Sequence, residues 1–182
     1  MMGRTAVLTG EVAWLYAAHN VAPDWRAALF GVPLVALAAY APDLDHAGST
    51  AGKKVGRLGS KVIRKAMGGH RGGTHSAVVV YLAYLASGWL LYGSRWAASA
   101  VAIGWAAHIF TDLLTVQGVR LLWPLGWLGY LWKPLHVLNR KIHIAWFITG
   151  GTGEVIYSGI VIVTGVLLAV SMAVPYLPGG IA

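Results

Sequence analysis

The stretch WAASAVAIGWAAHIFTDLLT, residues 96 to 115, decides the fold. Twenty residues is about what an α-helix needs to cross the hydrocarbon core of a bilayer. Only His108 and Asp112 in it are ionisable. Ionisable groups in such a helix are costly, face inward and mark functional sites. They stand four residues apart, so a helix sets them on one face. The segment therefore reads as a membrane helix with an imidazole and a carboxylate stacked near its end.

Composition carries the same message to the whole chain. Of 182 residues, 57% are hydrophobic and only 11% charged, and the mean hydropathy is +0.64. A soluble domain carries about a quarter charged residues, so lipid must cover much of this surface. Nine tryptophans and eight tyrosines suit an interfacial belt. There is no cysteine. Disulfides and thiolate ligands are excluded, and a metal site must use His, Asp, Glu, backbone or water. The opening MMGRTAVLTGEVAWLYAAH is interrupted by Glu11 and reads as a retained first helix rather than a cleaved signal.

Five apolar segments follow from the pattern: Thr5 to His19, Ala27 to Ala41, Ser76 to Tyr92, Trp96 to Thr115, and His143 to about Val174, the last broken by GGTG at Gly150 to Gly153. If each crosses the membrane, 42–75, 116–142 and the N-terminus share one side. That side carries Arg4, Lys53, Lys54, Arg57, Lys61, Arg64, Lys65, Arg71, Arg120, Lys133, Arg140 and Lys141, against Arg26 and Arg95 on the other. Excess Lys and Arg mark the cytoplasm. The expected fold is all-α: a polytopic membrane helical bundle of about five transmembrane helices with a cytoplasmic amphipathic helix. Residues 1–182 form a single membrane-embedded domain in the inner or plasma membrane, N-terminus and site cytoplasmic. Within it, 47–69 is a basic amphipathic segment, with Val55, Leu58, Val62 and Ile63 as its apolar members. It is expected to lie on anionic inner-leaflet lipid. Nucleic acid is not an expected partner, because the charge comes without a supporting motif. A homo-oligomer is compatible with this reading.

Three polar clusters reach the cytoplasmic side. APDLDH supplies Asp43, Asp45 and His46; GHRGGTHS supplies His70, Arg71 and His75; the long helix supplies His108 and Asp112. Singly, each has a bland reading as a helix cap, a phosphate contact or a structural ion pair. Together they form a nitrogen and oxygen donor set that suits zinc, and also manganese or iron. Seven candidate ligands, Asp43, Asp45, His46, His70, His75, His108 and Asp112, exceed one tetrahedral shell, so two or more ions are expected. Gly72 and Gly73 let the chain bend between the two histidines, and Arg71 is a fixed cation for a phosphate oxygen. Glu11 and Glu154 interrupt apolar segments and are candidate ligands, bases or acceptors for a histidine N–H. His136 and His143 lie on the same side without a tight pattern, and His19 lies on the other.

In order and spacing, APDLDH, GHRGGTHS and GWAAHIFTDLLTVQGVRLLWP resemble the family of inner-membrane metal-dependent hydrolases that includes YdjM. The resemblance covers roughly residues 1 to 124, and the tail more loosely. The family is distantly similar to zinc-dependent phospholipase C and P1-type nucleases, which implies clustered zinc and phosphoester cleavage. The motif residues carry over to Asp43, Asp45, His46, His70, Arg71, His75, His108 and Asp112. Thr115, Gly118 and Leu121 to Pro124 look like family features, and Glu154 like a recurring acid. In one place this chain departs. Relatives often begin with a Thr-His pair where this chain has Thr5-Ala6, which implies a lost ligand or an engineered form of reduced activity.

The expected activity is hydrolysis of a phospholipid or lipid-linked phosphoester, a phosphodiesterase-like reaction at the cytoplasmic face. Metal ions would polarise the phosphoryl group and acidify a water. Asp43, Asp45 or Glu11 would take the proton, and Arg71 would offset phosphate charge. Two alternatives keep the same ligands: a metal-ion transporter, and a non-catalytic, metal-stabilised membrane scaffold.

Overall fold

Small polar residues set where the apolar segments become helices. Asp24, Ser49, Ser76 and Ser94 each accept a hydrogen bond from a backbone N–H three residues on, capping the helix that follows. The computed structural model describes residues 3–125, 140–144 and 147–173. Its helices are α1 (Gly3–Val21), α2 (Trp25–Tyr40), α3 (Thr50–Ala66), α4 (Ala77–Leu90), α5 (Arg95–Leu113) and α6 (Thr152–Ala173). Two 3-10 turns, Ala41–Asp45 and Gly73–His75, carry the motif residues between them. Among the described residues, β structure amounts to two isolated bridges, Thr115 with Phe147 and Val119 with Ile142.

The described residues are thus all-α and without a β-sheet. Among the described residues, two stretches are long and apolar enough to cross a membrane: Trp25–Ala66, which starts with α2, and Thr152–Met172 in α6. Exposed Leu29, Phe30 and Leu37 on α2, Leu82, Leu85 and Trp89 on α4, and Val155, Ile160, Val163 and Leu167 on α6 give these helices apolar outer faces. Such faces are stable against lipid rather than water.

Helix α5 is the hub, packing on α1, α2 and α4, while α6 packs on α1. Small residues let these helices approach closely. A Cβ on Gly104 would lie 2.2 Å from the Val35 carbonyl oxygen, so α5 and α2 meet backbone to backbone. Trp14 is fully buried against Gly31, and its indole N–H donates to the Ala28 carbonyl at 2.8 Å. Polar contacts tie α6 to α1: Thr5 donates to Glu154 at 2.7 Å, and Thr9 meets the Tyr157 hydroxyl at 3.2 Å.

Two sequence expectations change. The last apolar segment does not become a helix at His143. Residues 142–144 and Phe147 lie alongside 113–119 instead, with Val119 and Ile142 exchanging both backbone hydrogen bonds at 2.9 and 2.8 Å, Ile144 N–H donating to Leu113 at 2.7 Å and Phe147 N–H donating to Leu114 at 3.3 Å. Pairing satisfies that backbone without a helix, and α6 begins only after the left-handed turn at Gly150. The basic segment also bends. Gly56 takes φ 77° inside α3, and Ser60 Oγ reaches the Gly52 carbonyl at 3.2 Å. Lys133, His136 and Val174 lie outside the described residues.

Close packing of α5 on α2 sets a clear expectation. Gly104→Ala should lower stability by about 1–3 kcal/mol through overpacking. Gly159→Ala on α6, where a Cβ would meet nothing within 4 Å, should leave it unchanged. Unfolding of the two variants in detergent micelles checks this.

Candidate metal centre

Three pieces of chain meet at one end of the bundle. The 3-10 turn after α2 brings Asp43 and Asp45; the 67–76 loop brings His70, Arg71, Thr74 and His75; the end of α5 brings His108 and Asp112. The loop's shape is demanding. A Cβ on Gly72 would sit 2.3 Å from the Met67 carbonyl oxygen, so only glycine fits that turn. Arg71 adopts φ 59°, a left-handed conformation that costs a non-glycine residue about 1–2 kcal/mol. The strain is held where it aims the Arg71 side chain at Asp112 and its backbone N–H at Asp45.

Asp43, His75 and His108 offer ligand atoms that all lie within 4.8 Å of one another, and both histidines are buried. Hydrogen bonding fixes what the two rings present. His108 Nδ1 lies 2.6 Å from the Ala39 carbonyl, which only accepts, so Nδ1 carries the proton. Thr74 donates its hydroxyl hydrogen to Asp45 at 2.9 Å; its oxygen must therefore accept from His75 Nδ1, also at 2.9 Å. In its neutral form each ring thus turns an Nε2 lone pair inward. His75 Nε2 is buried without a hydrogen-bond partner and lies 3.3 Å from Asp112 Oδ2. His108 Nε2 lies 3.8 Å from the same oxygen and 3.7 Å from Asp43 Oδ1. Lone pairs facing carboxylates at these distances repel unless a cation stands between them. Two imidazoles and two carboxylates, each imidazole held through its other nitrogen, are a donor set that fits a divalent ion such as zinc.

Asp45 sits differently. It is buried, and its oxygens receive His70 Nδ1 at 2.8 Å, the Thr74 hydroxyl at 2.9 Å and the Arg71 N–H at 3.3 Å. It orients His70 directly and His75 through Thr74. Because His70 donates from Nδ1, its Nε2 lone pair is left for other partners. The four histidines form a row, with ring centroids 4.8 Å apart from His46 to His70, 5.9 Å from His70 to His75, and 5.2 Å from His75 to His108.

Arg71 is committed to the protein. Its Nε and one terminal nitrogen grip Asp112 at 2.8 and 3.0 Å, and the other terminal nitrogen donates to Gln117 at 2.5 Å. A cavity of about 740 Å³ opens over this end, bordered by Asp43, His46, His70, Arg71 and Gln117 among others. Its surroundings are cationic: Arg4 lines it, and burial together with the charges of Arg71 and Arg120 pushes the Lys141 ammonium below its ordinary value. Sequence reading gave no role to Gln117, Tyr40 or the Ala39 carbonyl, and took Thr74 only as a hydroxyl that can bond to backbone or substrate. A hydroxyl directly before a metal-type histidine was the one available signal, for Thr74.

The two glutamates stand apart. Glu154 is 2% exposed and accepts from Thr5 Oγ1 and from the Gly150 N–H, both at 2.7 Å, which joins the starts of α1 and α6. Glu11 is half-buried on α1, outside the cavity, and pairs with no described residue. His143 belongs to the segment beside 113–119. Ala6 is fully buried. A Cβ on Gly10 would pack on Ala107 and Gly104. Ala6, one turn nearer the cavity, is therefore level with the next turn of α5, which carries His108.

A family profile described as YdjM inner membrane protein matches residues 1–178. The inner membrane protein YdjM of Escherichia coli K12 is 40% identical over 101 residues, 53% of this chain and 50% of that protein. YdjM of Shigella flexneri gives the same figures. The uncharacterized protein YvsG of Bacillus subtilis is 30% identical over 124 residues, 68% of this chain and 74% of that one. The chain spans about half the length of the YdjM proteins it matches. No solved structure matches.

The tautomer-locked cluster makes distinct demands on its members. His108→Ala and Asp112→Ala should each abolish tight zinc binding. Asp45→Asn should weaken it by about 10–100-fold through lost orientation, and Glu11→Gln should leave it unchanged. Metal content after dialysis against a graded chelator checks all four.

Proposed function

The chain belongs to the YdjM inner membrane protein family, and from that premise we propose that it is a membrane-embedded, metal-dependent hydrolase. Its substrate is a phosphoester in a phospholipid or lipid-linked molecule, cleaved at the cytoplasmic face. One observation carries the reading: two buried imidazole lone pairs and two carboxylates converge beside an open cavity at a bundle end.

Asp43, His75, His108 and Asp112 would hold one ion, with zinc the best match to the donors and manganese or iron the next. His46 and His70, which border the cavity, would hold a second. Such ions, when bound, polarise a phosphoryl oxygen and acidify water. The chain supplies the rest. Asp43 borders the cavity and takes the proton of the attacking water. Asp45 keeps His70 and His75 in their working tautomers, and Arg71 holds Asp112 in place.

Substrate reaches the cavity from the inner leaflet. The basic α3 supports this, because Leu58 and Val62 are 77% and 60% exposed, one turn apart, and lie among Lys61, Arg64 and Lys65. An apolar strip flanked by cations suits the headgroup boundary of an anionic leaflet. In bilayers containing phosphatidylglycerol, amide exchange over 57–66 should slow relative to pure phosphatidylcholine. Leu58→Asp should remove that difference.

Activity is tested with the natural chain and Ala6→His, which adds an imidazole beside the His108 turn. The histidine form should bind zinc about tenfold tighter and turn over faster on a phospholipid panel. Full metal occupancy without turnover on any lipid would favour a scaffold, and metal flux in proteoliposomes would favour a transporter.

A further inference from the structure

Gln117 is one of the polar side chains at the cavity, with Arg4, Tyr40, Ser49, Thr50 and Thr149, that metal ligation does not account for. Its orientation is fixed. A guanidinium only donates, so the atom 2.5 Å from the Arg71 terminal nitrogen must be the amide oxygen. The amide nitrogen therefore points away from Arg71, and its two N–H groups meet no acceptor among the described residues. Gln117 is exposed and borders the cavity together with Asp43, His46 and His70. The same guanidinium grips Asp112 through its other two nitrogens. The rigid left-handed Arg71 thus holds a candidate metal ligand in one direction and a donor pair in the other.

Backbone contacts stiffen the arrangement. Arg120 N–H donates to the Arg71 carbonyl at 3.2 Å, and Arg120 Nη1 donates to the Gly68 carbonyl at 3.0 Å. Gly118, with φ 59°, lets the chain pass so close to Ile142 that a Cβ would stand 2.5 Å from that carbonyl. Residue 117 is therefore not on a loose loop. A pre-set pair of N–H donors on a cavity that Arg4 also lines suits an oxyanion. Preorganised donors of this kind discriminate among substrates because their geometry is fixed before binding.

We propose that Gln117, aimed by Arg71, is a specificity-determining residue that donates through its amide nitrogen to a non-bridging phosphoryl oxygen of the group bound in the cavity. The proposal rests on the hydrolase reading for the identity of that group. The oxygen can belong to free phosphate or to a lipid headgroup phosphate.

Both sources enter the test. Zinc-loaded full-length chain in detergent is titrated calorimetrically with inorganic phosphate and with dioctanoyl phosphatidic acid. The titrations are repeated with Gln117→Ala and Gln117→Glu, and bound zinc is counted in each. Gln117→Ala should bind both ligands about tenfold more weakly, the loss of one charge-assisted hydrogen bond, with zinc unchanged. Gln117→Glu should weaken both further, because a carboxylate replaces the donor. Phosphatidic acid bound more tightly than phosphate by the natural chain, with the same loss on substitution, identifies the headgroup as the source; the reverse preference identifies free phosphate. Unchanged affinity in Gln117→Ala with zinc intact overturns the role of Gln117 and leaves the hydrolase reading standing. Loss of zinc in that variant overturns it also, since Gln117 would then act only through Arg71 and Asp112. No binding of either ligand to the zinc-loaded natural chain overturns the phosphoryl reading together with this one.

Discussion

Two imidazoles whose outer nitrogens are already spent turn their Nε2 atoms inward, as lone pairs when the rings are neutral, and both face carboxylates. That constraint organises the site. Ala39 and Thr74 settle the tautomers of His108 and His75, and Asp43 and Asp112 complete the group. In water, such a cluster would draw in protons or solvent. Here it is buried against α5, where leaving lone pairs unmatched is costly. A divalent ion held by these donors would resolve the conflict.

The rest of the bundle serves that geometry. Close glycine contacts bring α2 against α5, so that the Ala39 carbonyl can reach His108. Arg71 tolerates a left-handed backbone because one residue then serves three partners: Asp45 through its N–H, and Asp112 and Gln117 through its guanidinium. Glu154 works elsewhere, tying the start of α6 to Thr5, which keeps the most lipid-facing helix attached. Polar residues inside the apolar helices thus divide into a set gathered at the candidate metal centre and a tethering set.

Much of this was legible in the sequence. The His108 and Asp112 spacing, the PDLDH turn and the two loop histidines named the parts that meet, because helix periodicity and hydropathy constrain where such residues can go. What the sequence could not convey were roles set by hydrogen-bond direction. Asp45 looks like a ligand, yet it receives three donors and acts as the organiser of His70 and His75. Arg71 looks like a phosphate clamp, yet it is bonded to Asp112 and Gln117. Gln117 lies within the GWAAHIFTDLLTVQGVRLLWP stretch, yet no role could be assigned to it, since a glutamine in a loop has no spacing rule. The residues before α6 were read as helix because they are apolar; their pairing with 113–119 is a tertiary contact invisible to local pattern.

The zinc K-edge absorption spectrum of the purified, zinc-loaded chain bears most directly on the convergence of lone pairs. A low-coordinate shell of mixed imidazole nitrogen and carboxylate oxygen at about 2.0–2.1 Å, with imidazole outer-shell scattering that His108→Ala diminishes, is the expected result. A six-coordinate oxygen shell without imidazole scattering would contradict it.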